Sequence, residues 1–210
     1  MMILTITSQE IPVGALGESG STGPTGSIAA SLARRRANAG RNVLLLCQKT
    51  AERQPNQYSK AQNDDAWLAT EIKAGAITRK LAAEAIANEL ASARDLYHDI
   101  VIDMPRLQHT DSLYVLAATG LAVFSIRAAT WNQDRQKRLV QRIGAARSWN
   151  PALPVLVIVD DIDSLAGQTI ISSLAAKVRN IRFIHLQTGQ QTKKSDDLPV
   201  SALYKAIYAA

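Results

Sequence analysis

Cysteine is almost missing from this chain of 210 residues: Cys47 stands alone. A single thiol excludes an internal disulfide framework and fits a reducing compartment, so a cytoplasmic location is the expectation. No apolar run approaches the ~20 residues that a membrane-spanning helix requires. The opening Met1-Met2-Ile3-Leu4-Thr5 has no basic segment before a long apolar one, so no secretory leader is expected. Aromatic residues make up 5% of the chain, and Trp67, Trp131 and Trp149 are dispersed. That spacing argues against a base-stacking platform and for packing at helix ends. Histidine is limited to His98, His109 and His185. None of them has a metal-ligand spacing with Cys47, and no nucleophile–histidine–acid set is suggested.

What is present suits one domain over 1–210. Hydrophobic residues are 47% and charged residues 20%, enough to bury a full core without staples. The formal net charge is +6, and the surplus is uneven. Arg127, Arg135, Lys137, Arg138, Arg142 and Arg147 share one stretch in which Asp134 is the only acid, and Lys177, Arg179, Arg182, Lys193 and Lys194 follow. A basic half of this kind favours polyanions such as DNA. An ordinary solvated surface accounts for it equally well.

Short apolar runs alternate with helical patterns. The runs are Ile3–Thr7, Val43–Cys47, Ile100–Ile102, Leu121–Ile126, Val155–Val159 and Arg182–Leu186. Most are apolar throughout, as strands covered on both faces are. Pro24 to Ala39 reads as an Ala-rich helix stopped by Gly40. Ile77, Leu81, Ile86 and Leu90 are spaced as one helical stripe. Thr130-Trp131-Asn132-Gln133 fits a capping box with Thr130 as N-cap, ahead of a helix with Leu139, Val140 and Ile143 on its apolar face. A helix over Ser164–Val178 and a short one over Ser201–Tyr208 complete the pattern. Such alternation implies a doubly wound, mostly parallel α/β sheet with helices on both faces.

The segment Gly17-Glu18-Ser19-Gly20-Ser21-Thr22-Gly23-Pro24-Thr25-Gly26-Ser27 opens the first long helix. Small residues let a ligand approach backbone N–H groups, and a helix N-terminus adds partial positive charge. Pro24 suits the first helical position, where its missing N–H costs nothing. The loop therefore fits an anion cradle, and equally a plain flexible Gly/Ser connection.

The wider context resembles the ParA/MinD family of P-loop ATPases. Leu32–Cys47 (LARRRANAGRNVLLLC) is similar to the helix, glycine and apolar strand that follow the family's phosphate loop. Tyr97-His98-Asp99-Ile100-Val101-Ile102-Asp103-Met104-Pro105 resembles its Tyr-Asp-x-(apolar)₃-Asp-x-Pro segment, and Ala117–Ile126 resembles its next strand. The glycine loop departs most. The family reads Lys-Gly-Gly-x-Gly-Lys-(Thr/Ser)-Thr there. Counting back from Gly40 without gaps puts Gly20 and Thr25 at the two lysines. A one-residue shift puts Gly20 and Gly23 on family glycines, Pro24 on the second lysine and Thr25 on the magnesium-binding hydroxyl. Both registers lose both lysines, and Lys49 is the only plausible substitute. Cys47 replaces a strand-end acid, and Ser8–Gly17 is extra.

The resemblance implies ATP and magnesium as cofactors. Gly20, Ser21, Thr22, Gly23, Thr25, Gly26 and Ser27 would bind nucleotide, with Thr25 and Asp103 toward the metal and Asp103 as the catalytic-site acid. Asp103 is also well suited to start a turn beside Pro105. Asp160, Asp161 and Asp163 could bind a metal but fit better as caps for the Ser164–Val178 helix. The resemblance implies a partition, positioning or conjugation-associated role. It comes with nonspecific DNA, a ParB-like partner, and a homodimer or a heterodimer with an intact paralogue. The missing lysines favour a weak ATPase or pseudo-ATPase. An intact switch with a non-lysine loop and a small-molecule P-loop enzyme are the alternatives.

One prediction concerns DNA. Binding to random duplex through Arg135, Lys137, Arg138 and Arg142 should weaken steeply with salt and on charge reversal of these residues. An affinity that is flat in salt would refute it.

Overall fold

The computed structural model describes residues 1–8, 24–48, 76–81, 83–104, 111–160, 162–185 and 198–208. The described strands are β1 (Met2–Ser8), β2 (Val43–Gln48), β3 (Ala76–Leu81), β4 (Asp99–Asp103), β5 (Leu121–Ile126), β6 (Val155–Val159) and β7 (Ile181–His185). The described helices are α1 (Pro24–Asn38), α2 (Ala83–Ala93), α3 (Asp111–Ala118), α4 (Gln133–Arg147), α5 (Leu165–Ala175) and α6 (Leu198–Tyr208). The strands form one sheet in the order β3-β2-β4-β1-β5-β6-β7. Every neighbouring pair is parallel.

Handedness places the helices. From β1 to β2 the chain steps one way along the sheet; from β3 through β7 it steps the other way. Right-handed crossovers then put α1 on one face and α2 to α5 on the other. The buried clusters agree. Leu4, Ile6, Val43, Leu45, Val101, Val123, Leu156 and Ile158 pack with α1 and α6. Their alternating neighbours, such as Leu44, Leu46, Ile100, Ile102, Phe124 and Val157, pack with α2 to α5. Successive strand side chains point to opposite faces, so a strand covered twice must be apolar at every position. That is why the runs in β2, β4 and β6 are continuous and that in β5 is interrupted only by Ser125.

Three expectations need correction. Ile77 and Leu81 do not share a helix with Ile86 and Leu90. They lie on β3, an edge strand in register with β2 from Val43↔Ala76 to Gln48↔Leu81. Ile77 and Arg79 are exposed while Ala76 and Thr78 are half-buried, a period of two that coincided with helical spacing. Thr130 is not the N-cap of α4. It ends a short 3₁₀ turn, Ala128–Thr130, and its hydroxyl donates to Arg127 O at 3.3 Å. Asn132 caps instead, its Oδ1 accepting from Arg135 N–H at 3.0 Å. The helix α5 is capped by Ser164, whose Oγ accepts from Gly167 N–H at 3.0 Å. The preceding acids are therefore not its N-cap.

Gly40 ends α1 as expected. It holds φ +79°, a left-handed conformation that glycine adopts without strain. Its turn lets Arg41 N–H return to Arg36 O at 3.2 Å.

A buried ion pair fastens this end of the molecule. The Asp99 side chain is 2% exposed and lies 2.9 Å from Arg36 Nη2 and 3.2 Å from Arg41 Nε, through the same oxygen, Oδ2. Arg36 Nε donates to that oxygen as well, at 2.9 Å. The Arg36 guanidinium also sits 4.2 Å above the Tyr208 ring and reaches Tyr204 Oη at 3.5 Å. One carboxylate thus joins α1, β4 and, through Arg36, α6.

Replacing Asp99 by Ala should cost about 3 kcal/mol, because it strands a guanidinium beneath α6. Arg41→Ala, at a partly exposed site, should cost under ~1 kcal/mol. Urea unfolding of both variants checks the ranking, and equal losses would contradict it.

Candidate functional site

The strand ends at one edge of the sheet carry the polar side chains that the core excludes. In the register, Asp103 stands beside Ile6 on β1 and Cys47 on β2. Met104 N–H extends that ladder to Ile6 O at 2.9 Å. On β4, Val101 faces α1 whereas Ile100 and Ile102 face away; alternation therefore turns Asp103 to the α1 side. Helix α1 packs over β1, β2 and β4 and runs against the strands, so its first turn opens at this same edge.

That first turn contains Thr25, Gly26 and Ser27. The leading N–H groups of a helix have no intrahelical partner and carry its partial positive charge. Gly20, Ser21, Thr22, Gly23 and Lys49 lie outside the described residues. Thus the expected acid and the start of the expected cradle helix share one face and one edge.

Asp103 is nearly buried, at 9% exposure, and its Oδ1 has no hydrogen-bond partner. Burial pushes its carboxyl up to about 7. A buried acid without a counter-charge resists ionisation, and such groups concentrate where a ligand completes the environment. Two further orphan atoms sit at the same level on the opposite face: Thr7 Oγ1 and Gln48 Oε1. Sequence reasoning passed over both, because a threonine or glutamine at a strand end is ordinary. Only three-dimensional accounting of partners brings them out.

The other acids act differently. Asp160 Oδ1 accepts from Ala128 N–H at 2.8 Å, and Oδ2 lies 3.8 Å from Arg127 Nε. It binds the exits of β5 and β6 together. Asp161 lies outside the described residues. Among the described residues, no group of three or more His, Cys, Asp or Glu side chains is placed to hold a metal. A magnesium ion here would therefore rest on Asp103 with oxygen ligands from phosphate and water, as that ion commonly does. The orphaned Asp103 oxygen suits that arrangement.

The four basic residues expected to meet DNA all lie on α4 but do not form one patch. Arg138 and Arg142 are close enough that Arg138, after burial, helps lower the Arg142 guanidinium from its usual range. Arg135 donates to Thr130 O at the helix start. Lys137 instead faces a groove shared with α5. At 100° per residue it lies roughly 100–160° around the helix from the arginines. Of the tryptophans, Trp149 follows α4 and is 71% exposed, edge-on to Tyr114 at 6.0 Å, whereas Trp131 is half-buried at the α4 start. Trp67 lies outside the described residues.

A seven-stranded, wholly parallel sheet wound on both faces, with its polar site at the strand ends, defines a P-loop NTPase-like α/β fold. Comparison with solved structures narrows this to a ParA/MinD-like fold. The chain is similar to a plasmid partition protein from Borrelia burgdorferi, at 13% identity and TM-score 0.54, covering 98% of both chains. It is similar to the cell division ATPase MinD from Pyrococcus furiosus, at 11% identity and TM-score 0.58, covering 100% of this chain and 99% of that one. It is also similar to cobyrinic acid a,c-diamide synthase from Mycobacterium smegmatis with a bound ATP analogue and magnesium. That match has 13% identity and TM-score 0.61, covering 97% and 91% of the two chains. No protein-family model matches the sequence, and no curated protein matches it.

The raised Asp103 carboxyl makes stability depend on pH. Unfolded, the group titrates near 3.8; folded, near 7. Between those values the folded state holds a proton that the unfolded state releases, so stability falls as pH rises from about 4 to 7 and levels off above. Asp103→Asn lacks this loss and should gain on the parent by roughly 2–4 kcal/mol between pH 4 and pH 8. Urea midpoints of both proteins at the two pH values measure it, and an unchanged difference would sink the assignment.

Proposed function

We propose that the chain is a ParA-like partition or positioning protein with a degenerate nucleotide site, acting as a weak ATPase or pseudo-ATPase that works through DNA or a protein partner. One observation carries this reading. An orphaned, buried carboxyl, Asp103, lies at the sheet edge where α1 begins, in a ParA/MinD-like fold, while the loop sequence before α1 has no lysine.

The cofactor in this reading is ATP with magnesium. Gly20, Ser21, Thr22, Gly23, Gly26 and Ser27 would supply small side chains, hydroxyls and backbone N–H donors to the phosphates. Thr25 and Asp103 would hold the metal. Bound magnesium would neutralise phosphate charge. This chain's own part is to orient the phosphates at the α1 N-terminus and to surrender the Asp103 proton as a cation arrives.

What the loop lacks decides the rate. A lysine places a full charge on the β- and γ-phosphates, whereas a helix N-terminus offers about half a charge. Losing such a stabiliser costs on the order of 10²–10³ in rate. Weak turnover or none follows, and the role shifts toward scaffold or regulator. A heterodimer with an intact paralogue would restore the missing charge from outside, and a ParB-like, conjugation or partition protein fits as partner. Among the described residues no helix is long and apolar enough to cross a membrane.

Calorimetric titration with ATP and magnesium tests this, beside the double variant Thr25→Ala, Asp103→Ala. The expected result is micromolar-range binding that the variant loses, with hydrolysis about 10²-fold or more below that of a lysine-bearing loop. Absence of heat from the folded parent would overturn nucleotide binding, and brisk turnover would overturn degeneracy.

A further inference from the structure

The α2, α3 and α4 helices pack side by side, whereas α4 and α5 approach each other less closely. Between them runs a groove of about 710 Å³, within the size range of ligand sites. Both helices face it with positions spaced for one side: Gln133, Lys137, Val140 and Gln141 from α4; Thr169, Ser173 and Lys177 from the α5 side. Facing helices usually bury apolar side chains against each other. Here Val140 is the only apolar residue on the lining, and the others bring polar or charged groups on aliphatic stems.

The floor is built from side chains that hold each other. Gln136 is 8% exposed, and Ser173 Oγ lies 3.1 Å from its Oε1. The same hydroxyl lies 3.0 Å from Ile170 O. Its single proton serves one of these acceptors, so the carboxamide keeps hydrogen-bonding capacity for a ligand. Lys137 and Lys177 stand on opposite walls, and Asp134 is the one acid on the lining. Ammonium, carboxamide and hydroxyl donors outnumber that acid. The groove is half open to solvent, neither an enclosed cavity nor a flat face.

We propose that the α4–α5 groove is a docking site for an acidic peptide segment of a partner protein, its carboxylates held by Lys137 and Lys177. The site is separate from the sheet edge where Asp103 lies. It requires no nucleotide, so it stands or falls independently of the reading above. Charge complementarity selects the occupant: the two lysines line the groove from its α4 and α5 sides with Asp134 the one acid there, whereas the Arg135–Arg138–Arg142 flank points elsewhere.

Fluorescence anisotropy with a labelled oligoglutamate peptide tests the proposal on the full chain. The double variant Lys137→Glu, Lys177→Glu should weaken binding at least ~10-fold. Arg135→Glu, Arg138→Glu, which changes net charge equally on the other flank, should change it less than ~3-fold. Gln141→Trp and Thr169→Trp fill the groove from either wall at constant charge and should each weaken binding ~5-fold or more. Thermal melting confirms that each variant is folded, and either tryptophan variant suffices if the other is not. Three results would overturn the proposal: no saturable binding by the parent, equal losses from the two charge-reversal pairs, or a lysine pair that weakens random duplex DNA while leaving the peptide unaffected. The last would make the groove a nucleic-acid surface.

Discussion

The contact between Asp99 and Arg36 sets the geometry on which the rest depends. Asp99 begins β4 and Arg36 lies in the last turn of α1, so the pair fixes helix to strand at one end of the sheet. Both elements then run to the opposite edge, where α1 starts and β4 finishes. A charged contact this enclosed is costly to form and more costly to break singly; its value lies in direction. With α1 pinned at its C-terminal end, and its buried face of Ala29, Leu32, Ala33 and Ala37 seated on the sheet, its N-terminus has one place to open. The stacking of Arg36 on Tyr208 extends the same constraint to α6.

The two acids of β4 make an instructive pair. The strand reads Asp99-Ile100-Val101-Ile102-Asp103, symmetric in sequence, yet its ends have opposite chemistry. Asp99 meets two guanidinium groups. Asp103 meets none, and burial alone acts on it. Identical residues four positions apart are thus a structural fastener and a buried carboxyl whose Oδ1 has no partner. No local pattern separates them; only the charges contributed by α1 and the turn after it do.

Much of the fold was legible because burial on two faces leaves a strong trace. The runs at β2, β4 and β6 are apolar throughout and that at β5 departs only at Ser125, and their order with the intervening helices implied the doubly wound sheet. The edge strand β3 was not legible. It has one neighbour, keeps a polar side, and its Ile77 and Leu81 fall at the spacing of a helical stripe continued by Ile86 and Leu90. Thr130 misled for a related reason: two side chains near the α4 start can cap, and the choice of Asn132 depends on the 3₁₀ turn before it. At the candidate site, Asp103 was visible from its place before Met104-Pro105. The orphan atoms of Thr7 and Gln48 were not, since satisfaction of a polar atom is a property of surroundings. Likewise the basic run on α4 reads as one patch in sequence, and the helix distributes it over two flanks.

The place of β1 at the heart of the sheet has a consequence for biosynthesis. Its two neighbours are β4 and β5, pairing Met2 with Asp99 and Leu4 with Leu121. Both partners therefore lie far downstream in sequence, the nearer of them beginning only at Asp99. Until then Ile3, Leu4 and Ile6 have no sheet to enter, and closure of the core waits on contacts distant in sequence, which form slowly. A nascent chain in which β4 has not yet been made presents this apolar strand without a sheet neighbour, as a natural substrate for holding chaperones.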